Sequence, residues 1–164
     1  MASSSSWAYK LNWDVALDFK NKLMGIGVVV GNHHGEIIAA LKRRESWSPE
    51  LVHAESVGAL VAAEFSRDLG LQDIILEGDS ITVVNALKSS SPNWSLFGQI
   101  IEDARGILFS RRRWDALHVK REANMAAHVL AKNALITPQE EVWMEESPPC
   151  IVSIIDLELN ALVN

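Results

Sequence analysis

The chain has 164 residues, 48% hydrophobic and 22% charged, which suits one compact domain with a buried core and excludes a disordered tail. Its single cysteine, Cys150, excludes an intramolecular disulfide, and charges interrupt every apolar run before the roughly 20 residues of a membrane span. The net charge of −6 argues against a uniformly basic nucleic-acid surface, although Lys42-Arg43-Arg44, Arg111-Arg112-Arg113 and Lys120-Arg121 form local basic clusters.

Residues 1–6 read as a short Ser-rich leader. With no secretory signal in view, the expectation is a monomer in a reducing intracellular compartment, nucleus or cytoplasm ahead of an organelle. Residues 7–14 read as a strand ending at Asp14, and Gly25 to Val30 as a buried one. The polar turn Asn32-His33-His34-Gly35 joins the latter to a third strand, Glu36 to Leu41, so the chain opens with an antiparallel meander.

Ser48-Pro49-Glu50 opens a helix on which Leu51, Ala54, Gly58, Ala62 and Phe65 share one face. Glu55 borders that face, and Gly70 is a candidate C-cap. Ile74 to Leu76 is a short buried strand. Asp79-Ser80 then caps a helix through Leu87, and a second helix runs from Ser95 to Leu108. Trp114 to Val119 reads as a strand and Glu122 to Leu135 as a helix that Pro138 stops. This order predicts an α/β fold with a five-stranded mixed sheet, a three-stranded meander plus two parallel strands, flanked by helices. Residues 7–137 form the expected domain, and residues 138–164 an acidic and apolar extension that docks loosely or binds a partner. Trp13 and Trp114, in strands, are expected in the core.

Three acids stand on three different elements: Asp14, Glu55 and Asp79. Each alone has an ordinary explanation: a strand end, a first-turn charge favoured by the helix dipole, an N-cap. Together they suggest convergence, because acids on packed surfaces are costly unless something cationic meets them, and hard divalent cations prefer oxygen ligands.

The motifs are more specific than the order of elements. Lys10-Leu11-Asn12-Trp13-Asp14-Val15-Ala16, the hairpin Gly25 to Ile38, Ala54-Glu55-Ser56, Ile74 to Ser80 and His118 to Ala131 occur in one order with compatible spacing. They cover residues 9–135 and resemble the ribonuclease H family, most of all the ribonuclease H-type domains of plant non-LTR retrotransposons and related plant proteins. The resemblance implies hydrolysis of the RNA strand of RNA–DNA hybrids, without sequence preference, by two Mg²⁺ ions, with Mn²⁺ an alternative. It implies Asp14, Glu55, Asp79 and His128 as catalytic and metal-binding residues. Asn32, His33, Asn85, Lys120, Arg121 and Asn124 are the expected contacts to nucleic acid.

Two departures bear on activity. His128 stands where the family has a fourth carboxylate, and imidazole is a poorer ligand for Mg²⁺ than for Mn²⁺. Val15 stands where the family usually has Gly, which would narrow the approach of a sugar–phosphate backbone. The alternative is a weakened or inactive derivative that binds nucleic acid or a partner.

Overall fold

A computed structural model of the chain describes residues 8–46, 50–95 and 97–153. The strands are β1 (Tyr9–Asp18), β2 (Leu23–Gly31), β3 (Ile37–Ser46), β4 (Asp73–Gly78), β5 (Arg113–His118) and β6 (Glu141–Met144). The helices are α1 (Leu51–Asp68), α2 (Ile81–Lys88), α3 (Gly98–Phe109) and α4 (Met125–Ala134), the last entered through a 3₁₀ turn at Arg121–Asn124. The strands form one sheet in the order β5-β4-β1-β2-β3-β6. β1, β2, β3 and β6 are antiparallel neighbours, while β4 pairs parallel with both β1 and β5.

The five expected strands are all present, and the sheet has a sixth. β6 falls inside the segment read as a loose appendix and pairs with β3 from Ala39↔Met144 to Lys42↔Glu141. The reason it stays is chemical. Lys42, only 4% exposed, donates through Nζ to Asn133 Oδ1 at 2.8 Å and to Thr137 Oγ1 at 2.7 Å, and pairs with Glu141 at 3.2 Å. Its ammonium thereby ties β3 to the end of α4 and to β6. Beyond β6, Ile151 is fully buried among Val29, Ala40, Ala127 and Leu130. Residues 154–164, the rest of the expected extension, lie outside the described residues, as do the leader and Trp47.

Period-two alternation assigns the two faces of the sheet. Leu11, Trp13, Val15, Ile26, Val28 and Leu41 turn to one face, where they join the apolar core of α1, α2 and α3. Asn12, Asp14, Gly27 and Lys42 turn to the other, against α4. Small residues let the helices descend. A Cβ on Gly58 would lie 2.8 Å from Trp13 Cδ1, and one on Gly78 2.5 Å from Trp13 Cζ2, so the fully buried indole fills the space that two glycines leave. On the opposite face, a Cβ on Gly27 would lie 2.4 Å from the Ala127 carbonyl oxygen, and one on Gly25 2.1 Å from that of Ala131. Trp114 is half-buried and meets Phe109 edge to face.

Candidate active site

β1 does not end at Asp14; it continues to Asp18. What ends is its parallel partnership. The β1–β4 ladder runs from Tyr9↔Ile74 to Asn12↔Glu77 and stops there. Asp14 therefore sits on a stretch of β1 that has β2 on one side, through Asp14↔Gly27, and an open edge on the other. Side chains from both faces of the sheet can meet at such an opening. Glu55 reaches it from the second turn of α1 and Asp79 from the carboxyl end of β4. Ser80, and not Asp79, caps α2, accepting from the Val83 N–H at 3.4 Å, which leaves the Asp79 carboxylate for other work.

One oxygen from each of Asp14, Glu55 and Asp79 falls within a group whose members are all within 4.8 Å of one another. Asp14 and Glu55 are 2% and 6% exposed. Removing carboxylates from water while holding them together disfavours ionisation. Burial, then the charges of Asp14 and Asp79, push Glu55 up to about 9. Burial, then Asp79, raise Asp14 as well, against the opposing hydrogen bond from His128. Among the described residues, Glu55 Oε2 is buried and has no hydrogen-bond partner, and the Trp13 indole only partly offsets the rise. A buried acceptor without a partner is costly, and a divalent cation would satisfy it while relieving the repulsion of its neighbours. The donor set fits such an ion.

His128, on α4, places Nδ1 2.7 Å from Asp14 Oδ2. It meets one acid and stands outside the three-carboxylate group. Its ring is anchored through Nδ1, which leaves Nε2 as its second polar atom. Arg121, exposed on the 3₁₀ turn, brings Nε to 3.7 Å from Asp79 Oδ2, and the exposed Lys120 precedes it.

The other expected contacts are distributed differently. Asn32 and His33 lie on the β2–β3 turn, level with Lys10, four residues along β1 from Asp14, or about 13 Å at the usual rise. The β4 end that carries Asp79 points the opposite way. The Asn32 oxygen is already engaged, accepting from the N–H groups of His34 at 2.9 Å and Glu36 at 3.0 Å. The turn does not bring these two residues to the acids. Asn85 is exposed on α2 and faces an opening it shares with Thr82, Ser91 and Trp94, the last 91% exposed. Asn124 is corrected outright. It is 2% exposed, and its amide is spent inside the protein, so it presents nothing to a phosphate. Val15 is corrected too. It is 6% exposed and its side chain packs toward Gly58 in the core, away from any approaching backbone.

Sequence reasoning missed Gly25 and Gly27, read only as part of a strand, whose bare backbone seats α4 so that His128 meets Asp14. Two glycines two apart inside an apolar strand were the available signal. It also missed Asn12 and Lys42, polar residues at buried positions of strands.

A scan of family models matches residues 12–134 to the family described as reverse transcriptase-like. The chain belongs to that family. The matched span begins at Asn12 and ends at Ala134, so the reverse transcriptase-like region holds the three acids, Asn124 and His128. No curated protein matches the chain. Among solved structures, ribonuclease H1 from the halophilic archaeon Halobacterium salinarum is similar, with a TM-score of 0.72 and 26% identity over 79% of this chain and 98% of that one. The N-terminal ribonuclease H domain of a Mycobacterium tuberculosis protein gives 0.67 and 21% over 79% and 94%. LC11 ribonuclease H1, solved with an RNA/DNA hybrid, gives 0.69 and 18% over 78% and 96%. The reverse transcriptase-like domain has the ribonuclease H fold, extended at the β3 edge by β6.

Proposed function

We propose that this reverse transcriptase-like domain is a metal-dependent endoribonuclease that hydrolyses the RNA strand of RNA–DNA hybrids without sequence preference. One observation carries the reading: three carboxylates within 4.8 Å, with the buried Glu55 Oε2 lacking a hydrogen-bond partner among the described residues. Such a cluster is unfavourable by itself and becomes favourable around a cation. The hybrid bound by a protein of the same fold supports the substrate class.

Asp14, Glu55 and Asp79 would hold Mg²⁺ or Mn²⁺, which when bound activates water and offsets charge on the leaving oxygen. In a two-cation arrangement His128 offers Nε2, because Nδ1 faces Asp14. Imidazole suits Mn²⁺ better than Mg²⁺, so a Mn²⁺ preference is expected. With Asp14 ionised, His128 donates from Nδ1, and Nε2 is free to accept a proton or orient water. Arg121, exposed beside Asp79, and the exposed Lys120 that precedes it would grip a phosphate.

A weakened, hybrid-binding derivative is the second reading. It is favoured by His128 bonding directly to Asp14, which places an imidazole against one of the carboxylates that would hold the cation. Cleavage of a labelled RNA–DNA hybrid in Mg²⁺ and in Mn²⁺, beside Asp14→Asn, separates the two. Cleavage that disappears in the variant supports the nuclease. Hybrid binding with no cleavage in either metal supports the derivative.

A further inference from the structure

Asn124 stands at the junction of the 3₁₀ turn and α4, only 2% exposed. Its Nδ2 donates to the Trp13 carbonyl at 2.8 Å. Its Oδ1 accepts from Asn12 Nδ2 at 3.1 Å, and the same Nδ2 reaches Glu77 Oε1 at 3.2 Å. Asn12 and Glu77 are the last pair of the β1–β4 ladder. The amide of Asn124 thus takes over where the ladder stops, and it binds the carbonyl of the peptide whose nitrogen belongs to Asp14. A buried amide whose donor and acceptor ends are both paired fixes the groups it joins.

The second consequence is helical. Residues 124 and 128 are four apart and lie on one face across the start of α4. Asn124 meets β1 at the Trp13 carbonyl, and one turn later His128 meets the next residue at Asp14 Oδ2. Gly27, opposite Asp14, leaves room for α4 to come close through Ala127 and Ala131, on either side of His128. One side chain sets the backbone that carries Asp14 and the height and phase of the helix that brings its hydrogen-bond partner.

We propose that Asn124 is a positioning residue for the acidic site: it touches no substrate and holds Asp14 and His128 in the arrangement that receives the cation. The proposal rests on the metal-dependent reading given above. Outer partners of this kind typically govern about 10–100-fold in metal affinity or activity. Asn124 would exert that control through a carbonyl and a helix face, without bonding to a ligand carboxylate.

The test titrates Mn²⁺ alone into the full chain by calorimetry, for the wild type, Asn124→Ala, Asn124→Asp and Asn12→Ala, with circular dichroism and Tm as checks on folding. Asn124→Asp keeps the acceptor and loses the donor to Trp13. Asn12→Ala, at a half-buried position, keeps the Trp13 bond and loses one tether. The expected result is a Mn²⁺ dissociation constant raised about 10-fold or more in both Asn124 variants and by less in Asn12→Ala. In hybrid cleavage, kcat at fixed Mn²⁺ should fall by a similar factor while KM for the hybrid stays within about twofold. Combining Asn124→Asp with His128→Ala should cost less than the sum of the two. Unchanged Mn²⁺ affinity in a folded Asn124→Asp would overturn the proposal, as would a raised KM with unchanged kcat, which would put Asn124 on the substrate. If Asn124→Ala and Asn124→Asp both fail to fold, Asn12→Ala decides by the same criteria. Wild-type protein that binds no Mn²⁺ would overturn the metal site itself and the positioning role with it.

Discussion

On the α1 face of β1, Leu11, Trp13 and Val15 are buried against an apolar core, and Gly58 and Gly78 make room for the indole. On the α4 face, the residues between them, Asn12 and Asp14, meet Asn124 and His128, and farther along the sheet Lys42 meets Asn133 and Thr137. Both faces are covered by a helix, and both use glycine to bring it close. The first face holds the sheet together through surface removed from water. The second buries polar groups that are worth burying only in fixed geometry, because each loses its water and must find a defined partner. Their difference separates what stabilises this fold from what the fold is for. The acids stand where the two faces meet, on the edge that β4 leaves open.

Breaking one face at a time should expose the division. Leu76 is fully buried on the apolar side, and Leu76→Ala is expected to cost about 2–5 kcal/mol. Its Mn²⁺ affinity should not change while the protein stays folded. Urea unfolding beside a metal titration checks both halves. Gly27→Ala acts on the other side. Its new methyl would press on the Ala127 carbonyl, costing about 1–3 kcal/mol, and would lift α4 so that His128 leaves Asp14. Here Tm and hybrid cleavage should fall together, and a Gly27→Ala protein with normal cleavage would separate His128 from activity.

Glu55→Gln should change stability with the opposite sign. Glu55 has a folded value of about 9 against an ordinary 4.5. The stabilisation from its uncharged form is complete below about pH 4.5 and is lost as pH rises through 9, so the metal-free wild type should weaken across that window. Glu55→Gln removes this loss. Metal-free Tm near pH 9 should rise, while Mn²⁺ binding and cleavage fall sharply. Thermal melts at several pH values, with and without Mn²⁺, provide the check. A pH-independent wild-type Tm would mean that Glu55 is not held as described.

Much of this organisation was legible in the sequence. Strand alternation and helical spacing locate every element but β6, because hydrophobic period is a local property. β6 was hidden because Glu141-Val142-Trp143-Met144 is short and is bracketed by Glu140 and Glu145-Glu146. Its place depends on the buried Lys42, read in sequence as one member of a basic cluster. The acids were legible as a set, since their positions on three different elements suggested convergence. Asn124 was misread because an asparagine after Lys120-Arg121 suits a phosphate equally well; only the end of the β1–β4 ladder shows that its amide is needed inside. Asn32 suggested a contact and serves the hairpin turn, a usual role for that residue type.

The most direct test of the acidic site is calorimetric titration of Mn²⁺ into the wild type and Asp14→Asn at pH 7, in two buffers that differ in ionisation enthalpy. Binding in the wild type should release about one proton, because Glu55 is largely uncharged below its value of about 9 and must ionise to take the cation. Asp14→Asn should bind far more weakly. No binding by the folded wild type, or equal binding by the variant, would contradict a cation site at Asp14, Glu55 and Asp79.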